Sequence, residues 1–387
     1  MSRAALIIED GTNSALLPAA RALARAGWTV DVAGPARNPR LRGSRAVRGW
    51  HRLPPPEGDL DAFLTATADL VRTKGYQVVF PGDDIEVLAL SAGRDRLPAV
   101  VPYAAHDTVL QAVDKLEFTR AAQAAGLAVP RTDEATPATL ASVPLPVVVK
   151  ARLHWTLGVD APDRHLSVEI CSDRAAARAR AAAIRSAGGT PILQERLDGE
   201  QGALTLVLDR AGTAVATVQQ RLLRASLRQT SVRAETVPPE PELVDGCVRM
   251  LRDLGWFGLA NIQFLRDPDG ACRFIDLNAR FYGSIALAIA AGANLPALWA
   301  GLAVGETPTP VVGRPGVRFH GFENDVFLAV TSAHPARAVA GAVGYAMGAA
   351  HSTWRVDDPV PALLRAGTLS GRALRRLLRR APPAAGV

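Results

Sequence analysis

Four polar side chains are spaced along two neighbouring stretches of the sequence so that they can act together on a charged ligand. Asp276 and Asn278 are two residues apart in an apolar run that predicts a strand, so both project from one face of it. Gln263 lies on the strand before it, and residues 266–270 form the turn. One carboxylate and two amide oxygens suit Mg²⁺ when phosphate and water complete its ligands. Arg280 follows and can stabilise charge on a transferring phosphoryl group. An edge strand with solvated polar side chains and a helix cap is the alternative.

Lysine is rare in this chain, and its positions are informative. Lys74, Lys115 and Lys150 are the only lysines among 44 basic residues. Lys150 ends the apolar run 146–150, which predicts a buried strand, and Lys115 begins a predicted helix at 114–125. A compact ammonium group at each position is suited to bind phosphate. Simple solvation of the lysine side chain is the alternative at both.

Acidic residues follow a short apolar strand predicted at 77–80. Asp83, Asp84 and Glu86 come at its end, where ligands bind in parallel α/β sheets. These carboxylates are suited to receive the amino group of a substrate. They are equally suited to cap the next helix.

The elements of the first hundred residues alternate between strand and helix. Strands are predicted at 4–8, 29–33 and 77–80, with helices ending near residue 26 and spanning 61–73. This order predicts a parallel sheet. The Arg- and Pro-rich segment 35–56 is predicted to be a loop.

The middle of the chain alternates less regularly and predicts α+β structure. Helices are predicted at 175–186 and 242–254. The predicted strands lie at 192–195, 204–208, 214–219, 261–265 and 272–278. The apolar run 284–305 contains Asn294 and Pro296, so two buried helices joined by a loop are favoured over a membrane span.

Composition excludes several classes of protein. The chain has 387 residues, is 48% hydrophobic and only 5% aromatic, which favours α/β layers over a β-sandwich. Three widely spaced cysteines fit neither a disulfide framework nor a zinc site, so we expect a cytoplasmic protein. The apolar run at the N-terminus is too short for a signal peptide.

The formal charge of +7 is concentrated at the C-terminus. No acid follows Asp358, whereas six arginines do: Arg365, Arg372, Arg375, Arg376, Arg379 and Arg380. The rest of the chain is therefore close to neutral. The Arg and Leu residues of the tail predict an exposed amphipathic helix. We expect the tail to be dispensable for catalysis. No basic patch interleaved with aromatic residues indicates nucleic-acid binding.

The segment 261–284 resembles the metal-binding hairpin of ATP-grasp enzymes. The usual form of that hairpin is Glu-x-Asn-x-Arg after a strand ending in Glu-Phe, Asp-Phe or Gln-Phe. The Asn-x-Gln-Phe version resembles the ATP-binding domain of the carbamoyl phosphate synthase large chain and its related carboxylate–amine ligases. The resemblance implies that Gln263, Asp276 and Asn278 bind magnesium and that Arg280 contacts phosphate. Asp276 departs from the family, which usually has Glu there.

The resemblance extends upstream over about two hundred residues. It implies that Lys115 and Lys150 bind the phosphates of ATP. The segment 193–200 resembles the hinge that holds adenine, with the following implied contacts: Gln194 or Glu195 with the exocyclic amine, the Leu197 backbone with a ring nitrogen, and Glu200 with the ribose hydroxyls. For Glu200 alone, a surface acid in a turn is the alternative.

Two further segments have a weaker resemblance. The family places a Gly-rich loop after the phosphate-binding lysine, whereas residues 151–159 contain only Gly158. Backbone amides at Thr156 and Gly158 can still cradle phosphate. Residues 219–224 resemble a strand that brings an arginine, here Arg221, to the acceptor substrate. An arginine at a strand edge is the alternative.

The resemblance implies an α/β and α+β protein with the ATP-grasp fold. We expect an N-terminal parallel α/β (pre-ATP-grasp) domain at 1–105, a two-lobed nucleotide-binding domain at 106–309, and a helical C-terminal extension with its basic tail at 310–387. The implied function is an ADP-forming carboxylate–amine ligase using ATP and Mg²⁺ (or Mn²⁺), with an acyl phosphate intermediate. Its implied partners are a small carboxylic acid and an amine. We expect neither nucleic-acid binding nor a membrane span, and a homo-oligomer is compatible with the resemblance. The alternatives are carboxylase or carbamoyl phosphate synthase-like chemistry, or an inactive nucleotide-binding module.

Overall fold

The computed structural model describes residues 3–9, 13–36, 41–155, 168–226 and 231–366. Two predicted phosphate-loop residues, Thr156 and Gly158, lie outside the described residues, as do residues 367–387 of the predicted basic tail.

The N-terminal part of the chain, for which the name first domain is kept, contains a four-stranded parallel sheet in the order β3-β2-β1-β4. Its elements are β1 (Ala4–Ile8), α1 (Leu16–Arg25), β2 (Thr29–Gly34), β3 (Gly49–Arg52), α2 (Leu60–Lys74), β4 (Val78–Pro81) and α3 (Asp84–Ala92). The buried strand β1 pairs with both β2 and β4, and all pairs are parallel, which confirms the parallel sheet predicted from the sequence.

One strand of this sheet lies inside the segment predicted to be a loop. β3 is a half-exposed edge strand of four residues that pairs with β2. The prediction of a loop throughout 35–56 was therefore wrong. So short an edge strand has no alternating apolar pattern, and a side-chain contact helps to fix it: His51 Nε2 lies 2.8 Å from Asp31 Oδ2.

Two helices lead from the first domain into the rest of the chain, α4 (His106–Val113) and α5 (Lys115–Ala124). The side chain of Asp114 caps α5, because it accepts hydrogen bonds from the backbone N–H groups of Leu116 and Glu117. This cap fixes the first turn of α5, where Lys115 lies.

A small antiparallel sheet follows in the order β5-β8-β6-β7. Its elements are β5 (Thr132–Glu134), α6 (Pro137–Ser142), β6 (Val147–Ala151), β7 (Glu169–Cys171), α7 (Arg174–Ser186) and β8 (Pro191–Glu195). A separate core forms where Val147 and Val149 of β6 meet Ile184 of α7. The small sheet is thus a lobe with its own packing.

The large sheet has the order β13-β12-β9-β10-β11-β15, with β14 also beside β10. Its elements up to residue 303 are β9 (Glu200–Leu208), β10 (Ala214–Ala225), β11 (Ser231–Val237), α8 (Pro241–Asp253), β12 (Gly258–Arg266), β13 (Cys272–Asn278), α9 (Ile285–Ala290) and α10 (Leu295–Ala303). The run 284–305 forms two short helices, as predicted. Within the described ranges, every helix is too short or too polar to cross a membrane.

The chain after residue 310 contributes strands as well as the expected helices. It comprises β14 (Val311–Val312), β15 (Arg318–His320), α11 (Phe322–Val330) and α12 (Pro335–Ala346). β15 pairs antiparallel with β11 and so extends the large sheet. Strands of two or three residues leave no periodic pattern in the sequence.

The last described segment returns to the first domain. Arg21 of α1 donates from Nε to Asp358 Oδ2 at 2.8 Å, and Ser44 Oγ donates to the same oxygen at 2.6 Å. Both Arg21 and Asp358 are buried. This ion pair fastens the C-terminal segment to α1.

A buried aromatic cluster joins the first domain to the large sheet. Phe80 of β4 packs against Phe281 and Trp299, with ring centroids 5.4 and 4.9 Å away. Tyr103 packs on Trp299 at 5.1 Å and donates its hydroxyl hydrogen to the carbonyl of Ala279. The carboxyl end of β4 is therefore held beside the end of β13.

Candidate active site

The predicted metal ligands lie on one face of the hairpin formed by β12 and β13. Gln263 is directly opposite Asp276, and Asn261 is directly opposite Asn278. Residues directly opposite in an antiparallel pair share a face. The three side chains expected to bind magnesium are therefore neighbours, and Asn261 is a fourth polar residue beside them.

Asn261 orients the amide of Asn278. Asn261 donates to Thr205 Oγ1 at 2.7 Å, and its own oxygen accepts from Asn278 Nδ2 at 3.2 Å. The side-chain amide of Asn278 thus donates to Asn261, and its Oδ1 remains available as an acceptor. Sequence reasoning did not assign Asn261, although its spacing from Gln263 places both on the same face.

The carboxylate of Asp276 is surrounded by positive charge. Burial acts to raise its pKa, but Lys115, His154 and Lys150 together outweigh burial and lower it. Asp276 is therefore ionised at neutral pH and can bind a cation.

Lys150 reaches from the small sheet to the large sheet. It is buried near the end of β6, and its Nζ donates to the backbone carbonyl of Ile275 at 3.3 Å. Burial lowers its pKa to about 8, against an opposing effect from Asp276. The predicted phosphate-binding lysine thus lies one residue from the predicted metal ligand.

Lys115 supplies a second buried ammonium group. Its residue is only 2% exposed, and its Nζ has no hydrogen-bond partner among the described residues. A buried ammonium group whose hydrogen-bond donors are unsatisfied is costly, so this position is suited to an anionic ligand.

Arg152 fixes the position of Lys115 relative to Lys150. It follows β6, and it donates to Asp114 Oδ2 at 2.6 Å and to Glu117 Oε1 at 3.0 Å, both on or beside α5. Its carbonyl oxygen also accepts from the backbone N–H of Lys115 at 3.1 Å. Sequence reasoning missed Arg152, because its partners are distant along the chain.

Arg280 is ion-paired with acids of the first domain. Its Nε lies 2.8 Å from Asp83 Oδ1 and 2.8 Å from Asp84 Oδ1. Burial opposes the charge of Arg280, but Asp84 and Asp83 outweigh that effect and hold its pKa above the ordinary value. His154 also joins the first domain, since its Nδ1 is 2.9 Å from Asp84 Oδ2.

Of the two roles considered from the sequence for the acids after β4, the structure has the helix cap. Asp83 is the N-cap of α3, and Glu86 accepts from the backbone N–H of Asp83 at 2.9 Å, which completes a capping box. Asp84 instead points to Arg280 and His154. The helix-cap alternative therefore holds for Asp83 and Glu86.

The predicted adenine hinge lies between the small and large sheets. Gln194 is buried at the end of β8 and donates to Thr132 Oγ1 at 3.0 Å. Glu195 accepts from the backbone N–H of Arg131 at 3.1 Å. Leu197 is half-buried and Glu200 is exposed where β9 begins. The chain passes from one lobe to the other at these residues.

Arg221 lies on the face of the large sheet opposite to the metal-binding residues. Gln220, Ala203, Gln263 and Asp276 form one row across four strands, whereas Arg221 pairs with Gly202 in the next row. Neighbouring residues of a strand point to opposite faces. Arg221 is ion-paired there with Glu235 and is about half exposed. The structure therefore does not bring Arg221 beside Asp276, and Gln220 is the residue of β10 on that face.

The site suits a magnesium ion that also binds phosphate. No cluster of three or more His, Cys, Asp or Glu side chains that could hold a metal occurs in the described parts of the chain. The predicted set has one carboxylate, Asp276, and amide oxygens. Mg²⁺ is commonly held by one or two carboxylates, with phosphate and water as its other ligands. These residues therefore fit Mg²⁺ arriving with a nucleotide.

A cleft of about 810 Å³ opens beside Arg280. Asn13, Ser14 and Asp83 contribute to its lining from the first domain. The C-terminal segment contributes residues that include His320, Phe322, Glu323, His351 and Trp354. The cleft is large enough for a small organic substrate.

The comparisons with known proteins agree on one fold. Residues 190–324 match the family described as "ATP-grasp in the biosynthetic pathway with Ter operon". A search of curated protein sequences found no match.

Three solved structures are similar over most of this chain. The L-amino acid ligase from Bacillus licheniformis is 17% identical, with a TM-score of 0.63 over 79% of this chain and 75% of that one. The biotin carboxylase domain of Hydrogenobacter thermophilus 2-oxoglutarate carboxylase, in complex with MgADP, ADP and bicarbonate, is 14% identical, with a TM-score of 0.63 over 82% and 73%. N5-carboxyaminoimidazole synthetase from Staphylococcus aureus is 12% identical, with a TM-score of 0.62 over 82% and 81%.

Proposed function

We propose that this chain, which has the ATP-grasp fold, is an ADP-forming ligase that joins a carboxylic acid to an amine through an acyl phosphate. The observation on which the proposal rests most is the hydrogen bond from Lys150 Nζ to the carbonyl of Ile275, the residue next to Asp276, with buried Lys115 held beside the strand of Lys150 through Arg152. Two buried ammonium groups and one ionised carboxylate suit a nucleotide polyphosphate that arrives with a divalent cation.

The proposed reaction consists of two successive nucleophilic attacks. A carboxylate oxygen of the acid attacks the terminal phosphorus of ATP, and the bond between the β and γ phosphates breaks to release ADP. The amine nitrogen then attacks the carbonyl carbon of the acyl phosphate, phosphate leaves with its electron pair, and the amine loses a proton.

Lys115 and Lys150 would bind and orient the phosphates of ATP. Lys115 has no hydrogen-bond partner among the described residues, so a phosphate oxygen would satisfy its ammonium group. Lys150 is held toward β13 by its hydrogen bond to Ile275. Fixed charges of this kind stabilise a phosphoryl transition state without reorganising when the reaction occurs.

Gln263, Asp276 and Asn278 would hold Mg²⁺. When bound, the ion would neutralise charge on the phosphates and help to orient them. The lowered pKa of Asp276 supports this role, because the carboxylate remains ionised at neutral pH.

Arg280 would contact the transferring group from the first-domain side. Asp83 and Asp84 hold its Nε, and its guanidinium has five N–H donors in all. The ion pairs would fix the guanidinium plane beside the cleft in which the acid and amine would react.

A substrate screen tests the proposal. The protein is incubated with MgATP and pairs of small acids and amines, and nucleotide products are quantified, with Asp276→Ala as the inactive control. We expect ADP and phosphate in step with an amide. AMP and pyrophosphate would contradict the acyl phosphate route, release of ADP that depends on bicarbonate would favour carboxylation, and no nucleotide product with any pair would favour an inactive module.

A further inference from the structure

Two histidines line the cleft beside Arg280, and neither has a role in the site described above. His320 is the last residue of β15 and is 1% exposed, and His351 follows α12. Their ring centroids are 5.6 Å apart. Both come from the C-terminal segment, which faces Arg280 and Asp83 across the cleft.

The tautomer of His320 is fixed by a buried carboxylate. Its Nε2 lies 2.7 Å from Asp325 Oδ2. Arg224 and Arg233 each donate to Asp325 at 2.7 Å, so both oxygens of this carboxylate accept hydrogen bonds. Nε2 of His320 must therefore carry the hydrogen, which leaves a lone pair on Nδ1.

His351 is fixed in the same tautomer by a different partner. Its Nε2 lies 3.0 Å from the backbone carbonyl oxygen of Ala346, which can only accept a hydrogen bond. Nδ1 of His351 is then also an acceptor. In the described parts of the chain, the Nδ1 atoms of both His320 and His351 are buried and have no hydrogen-bond partner.

Both histidines line the cleft, and their two unsatisfied Nδ1 acceptors call for a ligand that donates more than one hydrogen. A primary amine or its ammonium form does so from a single nitrogen. We propose that the cleft binds the amine substrate, with His320 and His351 as acceptors for its N–H groups and His320 as the base that takes its proton. This inference rests on the ligase function proposed above.

The proton balance of the second step is then complete. The nitrogen forms a bond to the carbonyl carbon, the bond from that carbon to phosphate oxygen breaks, and phosphate takes the electron pair. The hydrogen leaving nitrogen moves to Nδ1 of His320. Asp325 accepts from the opposite side of the ring and stabilises the resulting imidazolium.

The charges around His320 favour its neutral form before the reaction. Burial lowers its pKa, Asp325 raises it, and His351 and Arg233 lower it. Arg224 faces it across Asp325, and Tyr345 packs on its ring at 5.5 Å. His320 is thus available as a base at neutral pH.

The remaining lining favours an amine attached to an apolar group. Phe322 and Trp354 lie beside each other, with ring centroids 6.3 Å apart. Glu323 accepts from Arg365 Nε at 2.9 Å, so its charge is compensated. Aromatic walls around a pair of polar acceptors are typical of small-molecule sites.

Separate assays of the two half-reactions test the inference. Hydroxylamine traps an acyl phosphate as a hydroxamate without needing an enzyme base, so it reports acid activation alone. His320→Gln keeps an N–H donor for Asp325 but removes the base, and the exposed His334→Gln is the matched control. We expect His320→Gln to form hydroxamate within about twofold of wild type, while amide formation falls by about 10²-fold.

The pH profile and the amine KM give further readouts. Amide formation by His320→Gln should recover as pH rises and the amine deprotonates without help. His351→Ala should raise the KM for the amine about tenfold while leaving hydroxamate formation unchanged, because one acceptor is lost. An equal loss of both half-reactions in His320→Gln, or no loss of amide formation, would overturn the inference.

Failure of the ligase function would give a different result. In that case wild-type protein would form no hydroxamate with any acid. The cleft is then tested by calorimetry with 2-phenylethylamine, which should bind wild type and bind the His320→Gln, His351→Ala double variant at least tenfold more weakly. No binding to wild type, or equal binding to the double variant, would overturn the inference about the cleft.

Discussion

Arg280 and Asp84 are 196 residues apart in the sequence, and the fold brings them together in a bidentate ion pair. Nε of Arg280 donates to Oδ1 of Asp84 at 2.8 Å, and Nη2 donates to Oδ2 at 3.2 Å. One residue follows β13 of the large sheet, and the other begins α3 of the first domain. The pair therefore connects the predicted phosphate-binding arginine to the first domain.

Replacement of Arg280 should impair both catalysis and stability. Arg280→Gln should lower kcat/KM by about 10²- to 10³-fold, because a fixed charge at the transferring phosphoryl group is lost. It should also lower the free energy of unfolding by about 3 kcal/mol, because Asp84 is left without its charged partner. Steady-state kinetics and chemical denaturation measure these effects. The exposed Arg72→Gln is the control, and turnover of Arg280→Gln within threefold of wild type would contradict the assignment.

Asp276 should be indispensable for ATP turnover. Asp276→Ala removes the only carboxylate of the proposed magnesium set, so turnover should fall below about a tenth of wild type, as expected for several kcal/mol of lost stabilisation. Circular dichroism should show an intact fold. Asp269→Asn, in the exposed turn of the same hairpin, should remain fully active. Turnover above that tenth in Asp276→Ala would show that the metal is held elsewhere.

Replacement of Lys115 should weaken the binding of ATP but make the nucleotide-free protein more stable. Lys115→Met should raise the KM for ATP at least tenfold, because a phosphate-binding charge is lost. Without nucleotide, its melting temperature should rise, because a buried ammonium group without a hydrogen-bond partner is removed. Kinetics and thermal unfolding test both effects, with the exposed Lys74→Met as control. A lower melting temperature combined with an unchanged KM would assign Lys115 a purely structural role.

Asp358 should stabilise the fold in a pH-dependent way. Burial raises its pKa, but Ser44 and Arg21 outweigh burial and hold the pKa below its ordinary value. A lowered pKa means that the carboxylate contributes its full stability above the unfolded-state pKa and loses it as pH falls through the folded-state pKa.

Asp358→Asn should therefore cost about 3–5 kcal/mol at pH 7, because Arg21 is left buried without its charged partner. The difference from wild type should persist down to about pH 4 and shrink below it. Denaturation at a series of pH values measures this. The exposed neighbour Asp357→Asn should cost less than about 1 kcal/mol, and an equal cost for both variants would contradict the account.

Local patterns in the sequence were sufficient to predict the elements on which the site is built. The spacing of Asp276 and Asn278 predicted a shared face, and the register of β12 and β13 has it. The apolar run ending at Lys150 predicted the strand that positions its ammonium group.

Features that depend on tertiary contacts were not predictable in the same way. The partner of Arg280 is set by the packing of Phe80 of β4 against Phe281 after β13, which no local pattern encodes. The face on which Arg221 lies depends on the register of β10 with β9, and a shift of one residue would reverse it. His320 ends a strand of three residues, too short for a periodic pattern.

Transfer of labelled oxygen tests the acyl phosphate route most directly. With the acid labelled with oxygen-18 in its carboxylate, the phosphate released during amide formation is analysed by phosphorus NMR or mass spectrometry. We expect one labelled oxygen in each phosphate formed, because the carboxylate oxygen that attacks ATP leaves with the phosphoryl group. Phosphate free of label, formed together with the amide, would contradict the acyl phosphate route.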